Sequence, residues 1–329
     1  MPIIARIAID PDTPPPWRDS RSLLLRTIIG ADEQPLTGGA SWAGGYDWVL
    51  MPGATGLDLP PVTPIVETAP GLDGGWLRGT TVGARQVYLP LFVASPTSHA
   101  DYLDRRDRLF AFLDEYAVDD LTDADGTLEL VAASARGERY LRVVYSGGLE
   151  GDEGADQSGT YWGKYGLNLT ASDPYWRATE ETVLEFGSVP GRPFLSTTGH
   201  APWPRRLTPA VSLAGGGLSV TVPGRVPVWP VIEIEGPSSA TTVTWDGPRD
   251  EATAVTVGSV AAGESFRLST DPRRREATVA GSDAWARVAA APRFGRLRPG
   301  TQSIGVGVGG VSAGTVVRLR YRAAHRTAW

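Results

Sequence analysis

Hydrophobic and polar positions along this chain fall into alternating segments and short apolar runs between turn residues, a pattern that predicts strands. The clearest case lies in residues 162–176, WGKYGLNLTASDPYW, where Trp162, Lys164 and Gly166 alternate with Tyr165, Leu167 and Leu169. That strand is expected to end at Asp173-Pro174, because proline removes a ladder donor and restricts the residue before it. Tyr175 and Trp176 then offer a stiff aromatic surface just past the strand end. Upstream, strands are expected at 3–9, at 22–29 and around Tyr46, Trp48 and Leu50, with a stiff connector at Thr13-Pro14-Pro15-Pro16 beside Trp17. Gly71-Leu72-Asp73-Gly74-Gly75 reads as a turn, followed by strands at 76–81 and 84–92. In the second of these, Arg85, Val87, Leu89 and Leu91 face one side and Tyr88 and Phe92 the other. Pro90 marks it as an edge strand or the site of a bulge. Residues 127–132 and 139–145 pair about a turn at Arg136-Gly137.

The pattern changes to a helical period once, over residues 98–114. Ser98 is placed to cap that helix, with Asp101 three residues on. Leu103, Phe110 and Leu113, with Tyr102 and Leu109 beside them, form its apolar face, and Arg105, Arg106 and Arg108 take the solvent side among acids. After residue 200 the helical period is absent. Short apolar runs at 218–222, 228–235, 241–245, 254–257, 265–268, 276–280, 304–308 and 316–321, separated by Gly, Pro and Asp turns, predict a β-sandwich. The fold class is therefore mainly β. An N-terminal β-rich domain with one helix spans 1–190, and a C-terminal sandwich spans 191–329, with a linker at about 191–209.

Composition narrows the function classes. The 329 residues carry 40 Gly and 27 Pro, which fits many turns, and no cysteine, which removes disulfides, thiolate catalysis and thiolate metal sites. A formal charge of -6 gives no basis for nucleic-acid binding. The N-terminus is too polar for a signal peptide and no run is long enough to span a membrane. His99, His200 and His325 are scattered, so no zinc triad is expected. The acidic turn at 119–126 lacks the ligands of a calcium loop at its ends. Glu233 and Glu235 share one face of a strand, which suits a solvated surface better than the two sides of a sugar cleft. Arg273-Arg274-Arg275 forms a short basic turn. No catalytic, cofactor or metal residues emerge, and the chain reads as a non-enzyme. The 11 tryptophans, many of them near turns, suit protein–protein interfaces or carbohydrate platforms.

Several features stand in the order found in the distal tail proteins of long-tailed (siphovirus) bacteriophages. They are the Gly71–Gly75 turn with Arg85 in the following strand, the helix from Ser98, the strand ending RYLRV at 139–143, and Asp173-Pro174-Tyr175-Trp176. The second half adds WPVIEIEGP at 229–237, GESFRL at 263–268, LRPG at 297–300 and VRLRYR at 317–322. Over 70–322 the chain resembles that family, although Val222-Pro223-Gly224-Arg225 stands where the family carries an asparagine-containing run. The resemblance implies a structural protein with a ring-forming N-terminal belt domain and a galectin-like C-terminal sandwich. Six copies would form a ring at the virion tail tip, assembled in the host cytoplasm, between the tail tube protein and the tail hub protein. Its outer domains would support receptor-binding or baseplate proteins, and DNA would pass its channel without specific binding. No cofactor is implied. Trp162, Asp173, Pro174, Tyr175, Trp176, Phe110 and Trp229 are the structural and interface candidates. A carbohydrate-binding module that uses tryptophan platforms is the alternative, and a glycosidase the third reading.

Overall fold

In a computed structural model the alternating segments are strands in two compact units, one of residues 1–179 with 325–329 and one of residues 180–324. The structure describes residues 21–27, 33–36, 48–71, 73–114, 128–151, 160–187, 218–247, 252–310 and 314–329. The expected strand at 3–9, the proline connector and Trp17, Tyr46, the acidic turn at 119–126, and the linker with His200 and Trp203 all lie outside the described residues. The protein is mainly β with one α-helix among the described residues.

The first unit contains β1 (Arg21–Thr27), β2 (Glu33–Pro35), β3 (Trp48–Leu50), β4 (Val62–Glu67), β5 (Trp76–Val82), β6 (Arg85–Ala94), α1 (His99–Asp114), β7 (Leu128–Ser134), β8 (Gly137–Gly147), β9 (Trp162–Ala171) and β10 (Trp176–Ala178). Its main sheet runs in the order β2-β1-β7-β8-β9-β6-β3, with β10 paired to β8. The tight β7–β8 turn is possible because Gly137 takes a φ of 94°. β9 behaves as its alternation predicts: Tyr165, Leu167 and Leu169 are buried while Trp162, Gly166 and Asn168 are less so. Leu23 and Leu25 from β1, Leu89 and Leu91 from β6, and Leu128 and Leu130 from β7 complete the same apolar layer.

The helix covers that layer. Asp101 N donates to Ser98 Oγ at 3.2 Å, so Ser98 caps the helix as its sequence predicts. Tyr102, Leu109, Phe112 and Leu113 are the buried positions, and Leu103 and Phe110 pack partly buried at the margin. The hydroxyls of Tyr102 and Tyr165 meet at 2.9 Å, so each buried phenol has a polar partner. Arg105 corrects the expected solvent side. It is only partly exposed, because it bonds Asp101 one turn back at 3.0 Å and reaches Ala94 O at 3.3 Å, tying the helix to the end of β6.

Pro90 gives a second correction, since β6 is flanked by β9 on one side and β3 on the other. Tyr88 exchanges backbone bonds with Thr55 at 3.1 and 2.9 Å, and Met51 N donates to Pro90 O at 2.8 Å. The main-chain groups of 88 and 90 therefore point away from β9. The donor that proline lacks is missing from the sparsely paired side, and the β6–β9 ladder continues through Pro90–Gly166.

The second unit is a pair of sheets. The first comprises β11 (Thr182–Gly187), β13 (Val231–Glu235), β16 (Ser265–Ser269), β17 (Glu276–Val279), β18 (Ser282–Asp283) and β20 (Val316–Tyr321), in the order β11-β20-β13-β16-β17-β18. The second comprises β12 (Leu218–Val222), β14 (Ala240–Asp246), β15 (Ala252–Val257) and β19 (Gly300–Gly309), in the order β12-β19-β14-β15. Ile232, Ile234, Phe266, Leu268, Val317 and Leu319 of the first sheet and Val243, Trp245, Val255, Val257 and Ile304 of the second are buried. Alternate residues buried on both sheets are the signature of a sandwich core.

Candidate interaction surface

β4 and β5 form a two-stranded sheet of their own, apart from the main sheet of the first unit. The turn at its tip is the Gly71–Gly75 cluster, with Gly71 and Gly74 in the left-handed region. A bulge shifts the register between Ile65 and Val66, leaving Arg78 of β5 without an opposite residue. The pairing puts Val62 opposite Val82, Pro64 opposite Thr80 and Val66 opposite Leu77, all on one face. Trp76, opposite Glu67, and Ile65 belong to the other face. Every residue of β4 is exposed, and Trp76 and Leu77 are 52% and 65% exposed. With Leu59 also exposed, this arm holds most of the exposed large hydrophobic residues among those described. A contiguous exposed apolar strip of this kind makes the arm the candidate contact surface of the first unit. The Arg78–Glu67 ion pair is exposed and contributes little.

The root of the arm is as ordered as its faces are open. The chain enters through Gly56–Asp58 and leaves at Arg85, the first residue of β6. Arg85 is 1% exposed and forms no ion pair among the described residues. Instead its Nε donates to Pro174 O at 2.8 Å, Nη1 to Gly56 O at 2.6 Å and Asp58 O at 2.7 Å, and Nη2 to Arg326 O at 2.7 Å. Burial pushes its pKa down to about 10, opposed by the Asp58 charge, so the guanidinium stays positive at neutral pH. Four carbonyl dipoles do the work of a counter-ion, which the planar fork of arginine suits. Gly56 sits at φ 83° with its Cα against β6, where an added Cβ would come within 2.1 Å of Gln86 O.

The Asp173–Trp176 turn belongs to the same junction. Arg177 binds Asp173 through Nη2 at 2.6 Å and Nε at 3.1 Å, which holds the turn closed while Pro174 offers its carbonyl to Arg85. Tyr175 and Pro174 are half-buried, and Trp176 is fully buried in the core. Trp162 lies elsewhere, on the outer face of β9, beside Phe92 at 5.9 Å and under Lys164 at 5.8 Å. Phe110 stands edge-on to Tyr165 at 5.6 Å, with the Arg106 guanidinium over its ring. Trp229 is half-buried in the second unit beneath Arg296 at 5.8 Å. The structure thus brings Asp173, Pro174 and Trp176 together, and leaves Trp162, Phe110 and Trp229 at separate places. The reading of the sequence missed β4 altogether. Its signal was the run VTPIVE, in which Pro64 masks the alternation and an edge position tolerates it.

The second unit bears on the rival readings. Glu233 accepts from Arg320 at 2.6 Å and Arg267 at 3.4 Å, and Glu235 accepts from Arg318. Both carboxylates are committed to arginines on neighbouring strands. Among the described residues, Trp245 is buried, Trp229 lies under an arginine and Trp285 meets Phe294 edge-on at 6.3 Å, so no coplanar exposed tryptophan pair is present. Arg275 and Arg293 line a shallow cleft with Phe294, over which Arg275 is stacked at 5.4 Å. No group of three or more metal-ligating side chains occurs among the described residues, and no described helix is long and apolar enough to cross a membrane.

No protein-family model matches this sequence, and no curated protein does. Solved structures do match it. The Dit (gp 19.1) protein of phage SPP1, a paradigm of the hub adsorption apparatus in phages that infect Gram-positive bacteria, aligns at a TM-score of 0.59 and 11% identity. That alignment covers 92% of this chain and 98% of Dit. A chain of the phage p2 baseplate, in its activated conformation with Sr, aligns at a TM-score of 0.50 and 12% identity, with 92% of this chain and 98% of that one covered. At such low identity the likeness is one of fold, and it extends over both units: this chain has the fold of a phage Dit protein.

Proposed function

We propose that this chain is a structural protein of a bacteriophage tail tip, in which its copies assemble into a ring. The observation that carries the reading is the shared fold over 92% of the chain and 98% of SPP1 Dit. The exposed apolar arm supports the assembly part, since a hydrophobic strip on an otherwise polar chain needs a cover. A ring requires two different surfaces on each subunit, because a self-complementary patch yields only dimers. The arm is one of these surfaces, and its occupant is a second copy of this chain. Six copies, the tail tube and tail hub as neighbours, a galectin-like outer sandwich and attached receptor-binding proteins follow from the family resemblance. With -6 per chain, a sixfold ring would carry about -36, a charge that keeps passing DNA from adhering.

Mass measurement on the purified chain, alone and co-expressed with the adjacent tail hub, tests the reading. Six chains of 35.0 kDa give a species of about 210 kDa. Averaged microscopy of intact tails should place it at the tip. A protein that stays monomeric beside its hub, or is found away from the tail tip, overturns the proposal.

A further inference from the structure

Resting on the reading of the β4–β5 arm as a contact between copies, we infer that residues 326–328 are a clasp that fixes the root of that arm. The direction in which the arm is presented then depends on this tail being seated. Three consecutive carbonyls where the chain enters the arm are all engaged. Arg85 takes those of Gly56 and Asp58, and Ala328 N donates to that of Leu57 at 2.8 Å. The same Arg85 fork binds Arg326 O, so the tail and the arm's root share one buried cation. The tail has further holds: Arg139 Nη1 donates to Thr327 O at 2.9 Å, Ala328 is fully buried, and Arg21 stacks over Trp329 at 5.2 Å.

What makes this more than a packed segment is the order of the chain. The clasp begins two residues after Ala324, where the second unit ends, whereas Arg85, which it binds, lies 241 residues earlier in the chain. A load or a partner that draws on the end of the second unit pulls on the clasp through the covalent chain. Withdrawing it strips Arg85 of one acceptor and Leu57 of its donor, and leaves a buried guanidinium partly unsatisfied. The arm, which has no core of its own, then loses its fixed direction. The seated and the unseated segment are then the two states that set the direction of the arm.

The test uses the full chain and two independent ways of loosening the clasp. Ala328→Glu puts a charge at a fully buried position. Arg85→Lys keeps the positive charge but replaces a fork that spans four carbonyls with a single ammonium. An arm variant, Val66→Ser with Leu77→Ser, leaves the clasp intact. Hydrogen exchange is read at Ala328, at the root amides of Thr55 and Gly83, and at Leu89 and Leu167 in the β6–β9 ladder; association is read by mass. The clasp variants should raise exchange at Ala328, Thr55 and Gly83 by about tenfold or more, leave the ladder protected and weaken association. Unchanged exchange at Thr55 and Gly83 with Ala328 released overturns the clasp. So does an equal rise throughout the ladder, which would make the tail merely part of the core. If the arm variant associates as the parent does, the interface reading falls, while the exchange data still decide the clasp.

Discussion

Trp176 shows what a single buried aromatic contributes. Its indole is fully buried among the core side chains of the first unit, directly after the turn whose Pro174 carbonyl binds Arg85. Trp176→Ala should therefore cost about 3–5 kcal/mol in chemical denaturation. On the helix, Phe112→Ala should cost more than Phe110→Ala, because Phe110 is only partly buried while Phe112 is buried; equal losses would mean the helix is rotated. Glu264 carries a pH dependence. The Arg287 guanidinium, at 2.6 and 3.3 Å, and then Ala261 N, at 2.9 Å, hold its carboxyl at about 2, below the ordinary 4.5. A depressed folded pKa means the contribution is complete above pH 4.5 and is lost as pH falls through about 2. The stability gap between the parent and Glu264→Gln should accordingly shrink over that window. A gap that widens on acidification would contradict the pairing.

Among the elements, the arm and the helix are opposites. The helix is secured by a burial face, a cap and an arginine that reaches the end of β6, so its substitutions register in stability. The arm has no buried face, so its substitutions should register in association instead. Val66→Ser with Leu77→Ser should change monomer stability by less than about 0.5 kcal/mol while weakening self-association. A large loss of stability would show that the arm is folded against a core after all. β6 illustrates how context overrides propensity. Pro90 reads as an edge signal, but β6 lies inside the sheet because its missing donor points to the side where Met51 and Thr55 approach only at intervals.

For the whole molecule, two cores mean two cooperative transitions. A fragment of residues 180–324 should unfold as a β domain by itself, since both of its sheets lie within those residues. Circular dichroism with thermal scanning checks this, and a random-coil spectrum would refute independent folding. Residues 325–329 belong to the first unit, and loosening them should free the root of the arm while the β6–β9 ladder stays protected. Cross-strand pairs between Arg318 and Arg320 on β20 and Glu181, Glu185, Glu233 and Glu235 hold β11 and β13 against β20 on a partly exposed face. They set register more than they add stability.

The sequence by itself determined the local elements. Period-two alternation marked β9, short apolar runs between turn residues marked eight strands of the second half, and Ser98 marked the helix start, because these depend on neighbouring residues along the chain. The mainly β class followed from them. Long-range pairing was decided only by the tertiary structure. The VTPIVE run becomes a strand because it meets β5 across the Gly71–Gly75 turn, and it stays exposed because no other described element covers it. In the sequence Arg85 stood on one side of a strand and among the features of the family resemblance, with nothing to mark its partners. Its role comes from carbonyls at positions 56, 58, 174 and 326, brought together by folding. Backbone carbonyls are present at every residue and leave no trace in composition or spacing, so only the fold reveals which ones surround a buried cation.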